Sequence, residues 1–189
     1  MNALRADPVL RRVIDRIGPC RLKLERNRFR ALSESILYQQ LAGGAAVAIA
    51  RRFEAIWGRW PTPSQLAAVP ARKLRAAGLS RQKLSYMRDL STKVLEGSVR
   101  LDRVGRMDDE RVVECVTQVK GIGRWTAEMF LMFCLGRPDV FPLGDYGIQQ
   151  AMKKLYRVRT PAGMSRIAER WRPHRTAAAW YLWRAIDEK

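Results

Sequence analysis

Apolar residues recur at helical spacing along most of this chain of 189 residues. The first such segment begins at Asp7-Pro8, where an N-cap side chain precedes a proline at the first helical position, and it ends at Gly18-Pro19. Its apolar face consists of Val9, Val13, Ile14 and Ile17. A longer stripe follows Ser80 and consists of Leu84, Met87, Leu90, Val94 and Leu95. No segment shows a sustained period of two with β-branched residues, so the pattern predicts an all-α fold of about ten helices.

Glycine, proline and capping residues predict the other helix boundaries. Thr62-Pro63-Ser64-Gln65 has the spacing of a capping box, Gly78 and Gly97 each end a helix, and Gly43-Gly44 is predicted to be a turn. The further helices are predicted over residues 31–41, 45–57, 70–77, 80–97, 108–118, 124–135, 145–156 and 160–171, with a short one from residue 62 and a last one after residue 173.

The charge of the chain points to a polyanionic partner. Lysine and arginine number 36 against 18 aspartate and glutamate, which gives a formal net charge of +18. Nucleic acid is the leading candidate for that partner. A generally arginine-rich proteome is the alternative that the charge alone leaves open. The basic residues are spread over the chain instead of lining one helix, which disfavours a membrane-surface protein.

The cysteine count and the N-terminus bear on the cellular compartment. Cys20, Cys115 and Cys134 are too few and too widely spaced for a disulfide framework, and no Cys-x-x-Cys pair indicates zinc or an iron–sulfur cluster. The first seven residues contain no apolar leader segment, and no apolar stretch has the length of about 20 residues that spans a bilayer. We therefore expect a cytoplasmic, nucleoid-associated monomer that binds no membrane.

Val119 to Ala127 reads Val-Lys-Gly-Ile-Gly-Arg-Trp-Thr-Ala and forms a glycine-rich connection between two helices. The glycines can take positive φ and leave the backbone amides uncovered, and the dipole of the following helix favours an anion there. A DNA phosphate is the natural ligand, and such a site recognises backbone instead of sequence. The residues predicted to contact DNA here are Lys120, Gly121, Ile122, Gly123, Arg124 and Thr126. From the Gly-x-Gly spacing alone, an ordinary turn between helices is the alternative.

The same turn is a candidate site for a monovalent cation. Its outward backbone carbonyls could hold Na⁺ or K⁺ and bridge it to the phosphate. The carbonyls in question belong to Thr117, Val119 and Ile122. We expect no cofactor to be required.

The glycine turn resembles the helix–hairpin–helix motif of the DNA glycosylase superfamily that is named for this motif and for the Gly/Pro-rich loop and aspartate that follow it. In this chain the loop is residues 137–144 and the aspartate is Asp145, 22 residues after Gly123. That spacing fits the family. The resemblance implies that the turn binds the DNA backbone and that Asp145 is catalytic.

Three further segments are similar to the alkylpurine branch of this superfamily, the DNA-3-methyladenine glycosylases of the second type. They are Ile36 to Leu41, Gly78 to Lys83, and Glu169 to Pro173 leading to Trp183. The resemblance covers roughly residues 30–189 and implies a single two-lobed helical domain with Asp145 in a cleft between the lobes. The first lobe is expected at about residues 30–135, including the helix–hairpin–helix at 108–135, and the second at about 1–25 together with 136–189.

Some residues depart from other branches of the superfamily. Trp125 stands where bifunctional members carry a nucleophilic lysine, which forms a Schiff base with the opened sugar. An indole forms no such adduct, so the chain is expected to release the base without cutting the strand. No cysteine follows Cys134, whereas the endonuclease and adenine-mismatch branches usually add a four-cysteine cluster. We expect the compact form of this branch, without the extra N-terminal domain of the longer alkylpurine enzymes.

Asp145 lies at a predicted helix start, where capping alone would explain an aspartate, and the matched motif favours a catalytic role. Amides at a helix N-terminus stabilise a carboxylate. The carboxylate can stabilise an oxocarbenium-like transition state at the sugar C1′ and orient the attacking water. No second carboxylate is obviously placed as a general acid, but a base alkylated at a ring nitrogen leaves without protonation. The expected reaction releases alkylated, 3-methyladenine-like purines from double-stranded DNA and leaves an abasic site for base excision repair.

The target nucleotide must leave the duplex stack before this reaction. Gln39, Gln40 and Leu41 are the candidate wedge that fills the gap and touches the minor groove, although an ordinary polar helix end is the alternative for the two amides. Aromatic faces attract a cationic base. The candidate base pocket consists of Trp125, Tyr146, Trp183, Tyr38 and Met129, of which Trp183 matches a family tryptophan that stacks near the aspartate.

A protein of another class is the alternative to an enzyme. A helix–hairpin–helix module without catalytic activity would only bind DNA or act as a scaffold for a repair complex. Such a module needs neither Asp145 nor an aromatic pocket, so these residues favour the enzyme.

Overall fold

The computed structural model describes residues 2–41 and 43–187, and this part of the chain contains α-helices and no β-strand. Its helices are α1 (Asn2–Arg5), α2 (Pro8–Ile17), α3 (Arg28–Tyr38), α4 (Gly43–Ala55), α5 (Pro63–Ala68), α6 (Ala71–Ala76), α7 (Arg81–Leu95), α8 (Asp109–Thr117), α9 (Arg124–Phe133), α10 (Tyr146–Tyr156), α11 (Pro161–Glu169) and α12 (Arg175–Asp187), with a 3₁₀ turn at Val104–Arg106. The all-α prediction is confirmed. One helix beyond the predicted set is α1, whose four residues are too short to show a periodic pattern.

Within the described ranges, no helix combines the length and the apolar character that crossing a membrane requires.

Most helix boundaries follow the capping signals, with two corrections. Asn27 caps α3, because its side chain accepts the amide N–H of Arg30 at 2.9 Å, so the helix begins three residues before the predicted start. Gly43-Gly44 is not a turn but the start of α4. The turn lies earlier, where Gln40 adopts a positive φ of 55°. The predicted capping box at Thr62 is confirmed, since Thr62 and Gln65 each accept the other's amide N–H.

The chain divides into two compact units, and residues 25–130 form one of them. Helix α7 packs against α3, α5 and α6, and α3 packs against α4. The predicted apolar stripe of α7 is buried at Met87 and Leu90 and exposed at Leu95, the last residue of the helix. Arg88 on the same helix donates to the backbone carbonyls of Leu66, Ala67 and Val69, which satisfies carbonyls that the end of α5 leaves without helical partners.

Residues 1–24 together with 131–189 form the other unit. Here α10 packs against α12, α12 against α2, and α2 against α1. The loop of residues 137–144 also belongs to this unit. It joins α9 to Asp145, and α12 follows it by about thirty residues in sequence.

A buried carboxylate joins three segments of this second unit. Asp7 caps α2 by accepting the amide N–H groups of Val9 at 2.9 Å and Leu10 at 3.1 Å. It also accepts the phenolic O–H of Tyr156 at 3.0 Å and the indole N–H of Trp171 at 3.2 Å. Burial raises the pKa of Asp7, but these four donors together hold that pKa below its ordinary value. Burial and the charge of Asp7 raise the pKa of Tyr156.

We expect Asp7→Asn to destabilise the protein at neutral pH and to lose this effect in acid. A carboxylate with a lowered folded-state pKa contributes stability above its unfolded pKa of about 3.9, and this contribution disappears as pH falls through the folded-state pKa. The expected loss is on the order of 2 kcal/mol at pH 7, because two or more charge-assisted hydrogen bonds weaken. Urea unfolding at pH 7, 5 and 3 measures the difference between the variant and the unmodified protein.

The control for this prediction is Asp15→Asn, which removes an exposed ion pair with Arg5 on the neighbouring helix. Exposed pairs contribute roughly 0–1 kcal/mol, so its effect should be small at every pH. A stability difference for Asp7→Asn that stays constant from pH 7 to pH 3 would contradict the charge-dependent role of Asp7.

Candidate functional site

The glycine turn forms a hairpin between α8 and α9 and lies in the unit of residues 25–130. Helix α8 ends at Thr117 and α9 begins at Arg124. Gly121 has a φ of 81°, in the region that side chains rarely adopt, whereas Gly123 has no positive φ. The expectation of positive φ is therefore correct for Gly121 and wrong for Gly123.

The two glycines of the hairpin have different surroundings. A Cβ on Gly121 would lie 2.1 Å from Cδ2 of Tyr86 on α7, because the tyrosine ring packs directly against the glycine backbone. A Cβ on Gly123 would meet nothing within 4 Å. Gly121 is thus needed for the packing of the hairpin on α7. Gly123 leaves open space in front of the backbone at the start of α9.

An ion pair on α7 holds the hairpin backbone. Asp89 Oδ2 accepts the amide N–H of Lys120 at 2.8 Å and the ammonium of Lys93 at 2.8 Å, and Lys93 also donates to the carbonyl of Gln118 at 2.5 Å. Burial raises the pKa of Asp89, but the bonds from Lys93 and Lys120 hold that pKa below its usual range. The hairpin therefore has a fixed shape before any ligand binds.

The hairpin amides differ in whether they are available to a phosphate. The amide of Lys120 is bonded to Asp89, and that of Ile122 donates to the carbonyl of Val119 at 3.0 Å. The amides of Gly121 and Gly123 donate no hydrogen bond to any residue that the structure describes. These two amides are the ones that the geometry leaves for an anion.

The side chains predicted to contact DNA at the hairpin differ in their exposure. Arg124 is exposed and forms a double hydrogen bond with Glu110 on α8, at 3.0 and 2.5 Å. Lys120 is exposed. Thr126 and Ile122 are buried, with 6% and 4% exposure, so only their backbone can take part in the predicted contact.

The predicted wedge residues follow the last turn of α3. Gln39 donates through Nε2 to the carbonyl of Gly121 at 2.7 Å, so one of the two amides is bonded to the hairpin. Gln40 is exposed and Leu41 is partly buried. All three line a surface cavity of about 400 Å³, together with Tyr86 and other residues of α7. The structure thus places this loop next to the hairpin within one unit.

Asp145 lies in the other unit, as the N-cap of α10. Its Oδ1 accepts the amide N–H of Ile148 at 2.8 Å and the indole Nε1–H of Trp183 at 2.8 Å. Its own N–H donates to the carbonyl of Pro142 at 2.9 Å, and its carbonyl accepts the N–H of Gln149 at 3.0 Å. The partly buried carboxylate is therefore fixed in position by both the helix start and a side chain from α12.

Gly147 permits the contact between Trp183 and Asp145. A Cβ on Gly147 would lie 3.0 Å from Cδ1 of Trp183 and 3.1 Å from Oδ1 of Asp145. The indole also packs against Phe133, with ring centroids 5.9 Å apart. Gly147 was not a predicted site residue. Its signal in the sequence is a glycine within a predicted helix, although glycine is a poorer helix former than alanine.

The candidate base-pocket residues are mostly accessible. Tyr146 is 75% exposed and Trp125 is 48% exposed, which is unusual for large aromatic side chains. Tyr38 is exposed, and Met129 and Trp183 are partly buried. Tyr146 and Trp183 belong to the same unit as Asp145, whereas Trp125, Tyr38 and Met129 belong to the unit of residues 25–130. Stacking on a base requires such accessible faces.

The carbonyls predicted to hold a monovalent cation belong to the end of α8 and to the turn that follows it. The carbonyl of Val119 accepts the N–H of Ile122, whereas Thr117 is the last residue of α8 and Ile122 lies within the turn before α9. Oxygen ligands of this kind suit a hard cation. Among the described residues, no group of three or more His, Cys, Asp or Glu side chains is arranged to hold a metal ion.

The hairpin and the capped aspartate define a helix–hairpin–helix protein of the kind that acts in DNA base excision. Residues 33–175 match the family described as HhH-GPD superfamily base excision DNA repair protein, and the chain belongs to this superfamily.

Similar proteins of known family support the assignment of the chain to this superfamily. DNA-3-methyladenine glycosylase 1 of Schizosaccharomyces pombe is 34% identical over 92% of this chain and 80% of its own length. A putative DNA-3-methyladenine glycosylase of Bacillus subtilis is 32% identical over 88% of this chain and 61% of its own length.

Two solved structures share the fold at similar identity. A DNA-3-methyladenine glycosidase from Bacillus halodurans has a TM-score of 0.89 and 36% identity, covering 98% of this chain and 88% of its own. A 3-methyladenine DNA glycosylase of Schizosaccharomyces pombe, solved in complex with abasic DNA, has a TM-score of 0.86 and 32% identity, covering 99% of this chain and 97% of its own.

Proposed function

We propose that this protein is a monofunctional DNA glycosylase that releases 3-methyladenine-like alkylated purines from double-stranded DNA, with Asp145 as the catalytic carboxylate. The observation that carries the assignment is the fixed carboxylate of Asp145, bonded to Trp183 and capping α10, in a chain of the HhH-GPD superfamily. The product is an abasic site in an intact strand, which base excision repair then processes.

The chemistry asked of Asp145 is electrostatic. As the N-glycosidic bond breaks, positive charge develops at the sugar C1′, and a preorganised carboxylate stabilises that charge without reorganising. The bonds from Trp183 and Ile148 both reach Oδ1, so they set the orientation of the whole carboxylate group. The same carboxylate orients the water that attacks C1′.

We assign the backbone contact to the hairpin. The amides of Gly121 and Gly123, which donate to no described residue and lie at the positive end of the α9 dipole, bind a DNA phosphate, and Lys120 adds a positive charge beside them. A Na⁺ or K⁺ ion on the carbonyls of the hairpin would strengthen this contact. Gln40 and Leu41 serve as the wedge, next to the hairpin to which Gln39 is bonded.

The base contacts are assigned to accessible aromatic faces. A purine alkylated at a ring nitrogen is cationic, and such a cation over an indole or phenol gains about 1–2 kcal/mol when desolvated. Tyr146 and Trp125 are the most exposed of the candidate aromatic residues, and Tyr38, Trp183 and Met129 complete the proposed set. Trp125 also forms no Schiff base, which leaves the strand uncut.

A panel of duplexes with single lesions tests the assignment. Without a general acid, a cationic leaving group departs far more readily than a neutral one. N3- and N7-methylated purines should therefore be released at least about a hundredfold faster than the neutral etheno-bridged or deaminated purines under single-turnover conditions. Duplexes incubated without protein correct for spontaneous loss of methylated bases. Equal rates for cationic and neutral lesions would contradict the mechanism.

DNA affinity should fall steeply with salt. Phosphate contacts release counterions, so the association constant of a protein with several such contacts falls by about tenfold or more between 50 and 200 mM salt. Fluorescence anisotropy on an unmodified duplex measures the association constant at each salt concentration. Lys120→Ala should reduce the magnitude of the slope of log affinity against log salt by about one. Lys73→Ala, which removes an exposed lysine of α6, is the control and should leave that slope unchanged. A flat salt dependence would contradict the electrostatic contact.

A further inference from the structure

The loop of residues 137–144 is held by the first turn of α12. Thr176 is buried, with 5% exposure. Its hydroxyl donates to the carbonyl of Arg137 at 2.6 Å and accepts the amide N–H of Val140 at 3.0 Å. Its own amide N–H donates to the carbonyl of Pro138 at 3.0 Å. One threonine therefore satisfies three backbone groups of the loop.

A second contact between α12 and the loop is ionic. The Arg175 guanidinium donates from Nε to Oδ1 of Asp139 at 2.8 Å, and from one terminal nitrogen to Oδ2 at 3.0 Å and to the Asp139 carbonyl at 2.9 Å. Both side chains are mostly buried, at 16% and 21% exposure. Burial raises the pKa of Asp139, but Arg175 and the neighbouring Arg172 hold that pKa below its ordinary value. A two-pronged pair with this little exposure fixes geometry better than a surface pair does.

The same helix also contacts the far end of the loop. Trp183 lies eight residues after Arg175, which is about two turns or roughly 12 Å along α12. Its indole N–H reaches Oδ1 of Asp145 at 2.8 Å, and α10 itself packs against α12. Helix α12 therefore sets both the start of the loop and the position of the carboxylate at its end.

We infer that Arg175 and Thr176 are positioning residues, which fix the loop of residues 137–144 on α12 so that the carboxylate of Asp145 stays against Trp183. The catalytic consequence rests on the proposed function. Displacing a catalytic group by about 1 Å can lower a rate a hundredfold. Loosening this anchor should therefore affect the chemical step more than DNA binding.

Thr176→Val and Thr176→Ser form a matched pair for the test. Valine keeps the shape of threonine but removes the hydroxyl, which leaves the Arg137 carbonyl and the Val140 amide without this partner, whereas serine retains both bonds. With saturating protein on a methylated duplex, Thr176→Val should lower the rate of base release at least about tenfold, while its Kd for DNA stays within about twofold. Thr176→Ser should restore the rate to within about threefold of the unmodified protein.

A spectroscopic readout separates positioning from activity. The indole N–H resonance of Trp183, assigned by its loss in Trp183→Phe, reports the bond to Asp145 in a ¹H–¹⁵N spectrum. The resonance should move in Thr176→Val and stay in place in Thr176→Ser. Asp139→Asn keeps the size of the side chain but weakens its ion pair with Arg175, so it should also move the Trp183 resonance. This variant provides the same test if Thr176→Val does not fold.

Several results would overturn the inference. The first is a rate of base release for Thr176→Val within about twofold of that of the unmodified protein. The second is an indole resonance of Trp183 that moves in neither Thr176→Val nor Asp139→Asn. The third is a rate of base release that falls as far in Thr176→Ser as in Thr176→Val. If the unmodified protein releases no base at all, the proposed function fails, and the resonance alone decides whether Arg175 and Thr176 position Asp145.

Discussion

Asp145→Asn is expected to lower the single-turnover rate of base release by at least about a thousandfold and to leave DNA affinity unchanged or slightly higher. Asparagine keeps the shape of aspartate, and its amide oxygen can still accept the N–H groups of Ile148 and Trp183. It removes only the charge that stabilises the developing cation at C1′. Release of 3-methyladenine from a methylated duplex and anisotropy binding of the same duplex measure the two quantities.

Asp108→Asn is the matched control for this substitution. Asp108 caps α8 in the same way, because its Oδ1 accepts the amide N–H of Arg111 at 2.9 Å. The two variants therefore make the same chemical change at a helix start, and only the change at Asp145 should affect the rate. An Asp145→Asn variant as active as Asp108→Asn would show that Asp145 is only a helix cap, and would favour a module that binds DNA without catalysis.

Gly121→Ala is expected to destabilise the protein by about 2–4 kcal/mol. An alanine at a φ of 81° costs roughly 1–2 kcal/mol. Its Cβ would also lie 2.1 Å from the ring of Tyr86, so the ring or the hairpin must shift. Chemical unfolding measures the loss. Because the shifted hairpin no longer presents its amides correctly, DNA affinity should fall at least about tenfold at a temperature where the variant is folded.

Gly123→Ala gives a control within the same hairpin. Gly123 has no positive φ, and an added Cβ meets nothing within 4 Å, so stability should change by less than about 0.5 kcal/mol. Affinity should nevertheless fall, because the methyl group occupies the space in front of the amide where we place the phosphate. If Gly121→Ala is as stable as the unmodified protein, the packing of Tyr86 on the hairpin is not the reason for this glycine.

Local signals in the sequence predict the helices well. The capping residues Asp7, Thr62, Ser80, Asp108 and Asp145 all begin helices in the structure, since a cap needs only its own turn of backbone. The errors have local causes as well. Asn27 lies in a charged segment without apolar periodicity, so the sequence pattern does not show the start of α3. Gly43-Gly44 is mistaken for a turn because two consecutive glycines are typical of turns.

The contacts around the site were less accessible to prediction. Trp183 and Asp145 are 38 residues apart, and only the resemblance to a family indicated that they belong together. Asp89, Tyr86 and Thr176 carry no motif at all. Their roles follow from long-range packing of α7 on the hairpin and of α12 on the loop. Periodicity predicts which face of a helix is buried, but it does not reveal what that face contacts.

The most direct test of monofunctional base release is one gel on an end-labelled duplex that contains a single methylated purine. After incubation with the protein, we expect a full-length strand that breaks at the lesion only after heat or alkali, because the product is an abasic site and Trp125 forms no Schiff base. Breakage without alkali together with an adduct trapped by borohydride would contradict the monofunctional mechanism. A strand that stays intact even after alkali would contradict the glycosylase activity itself.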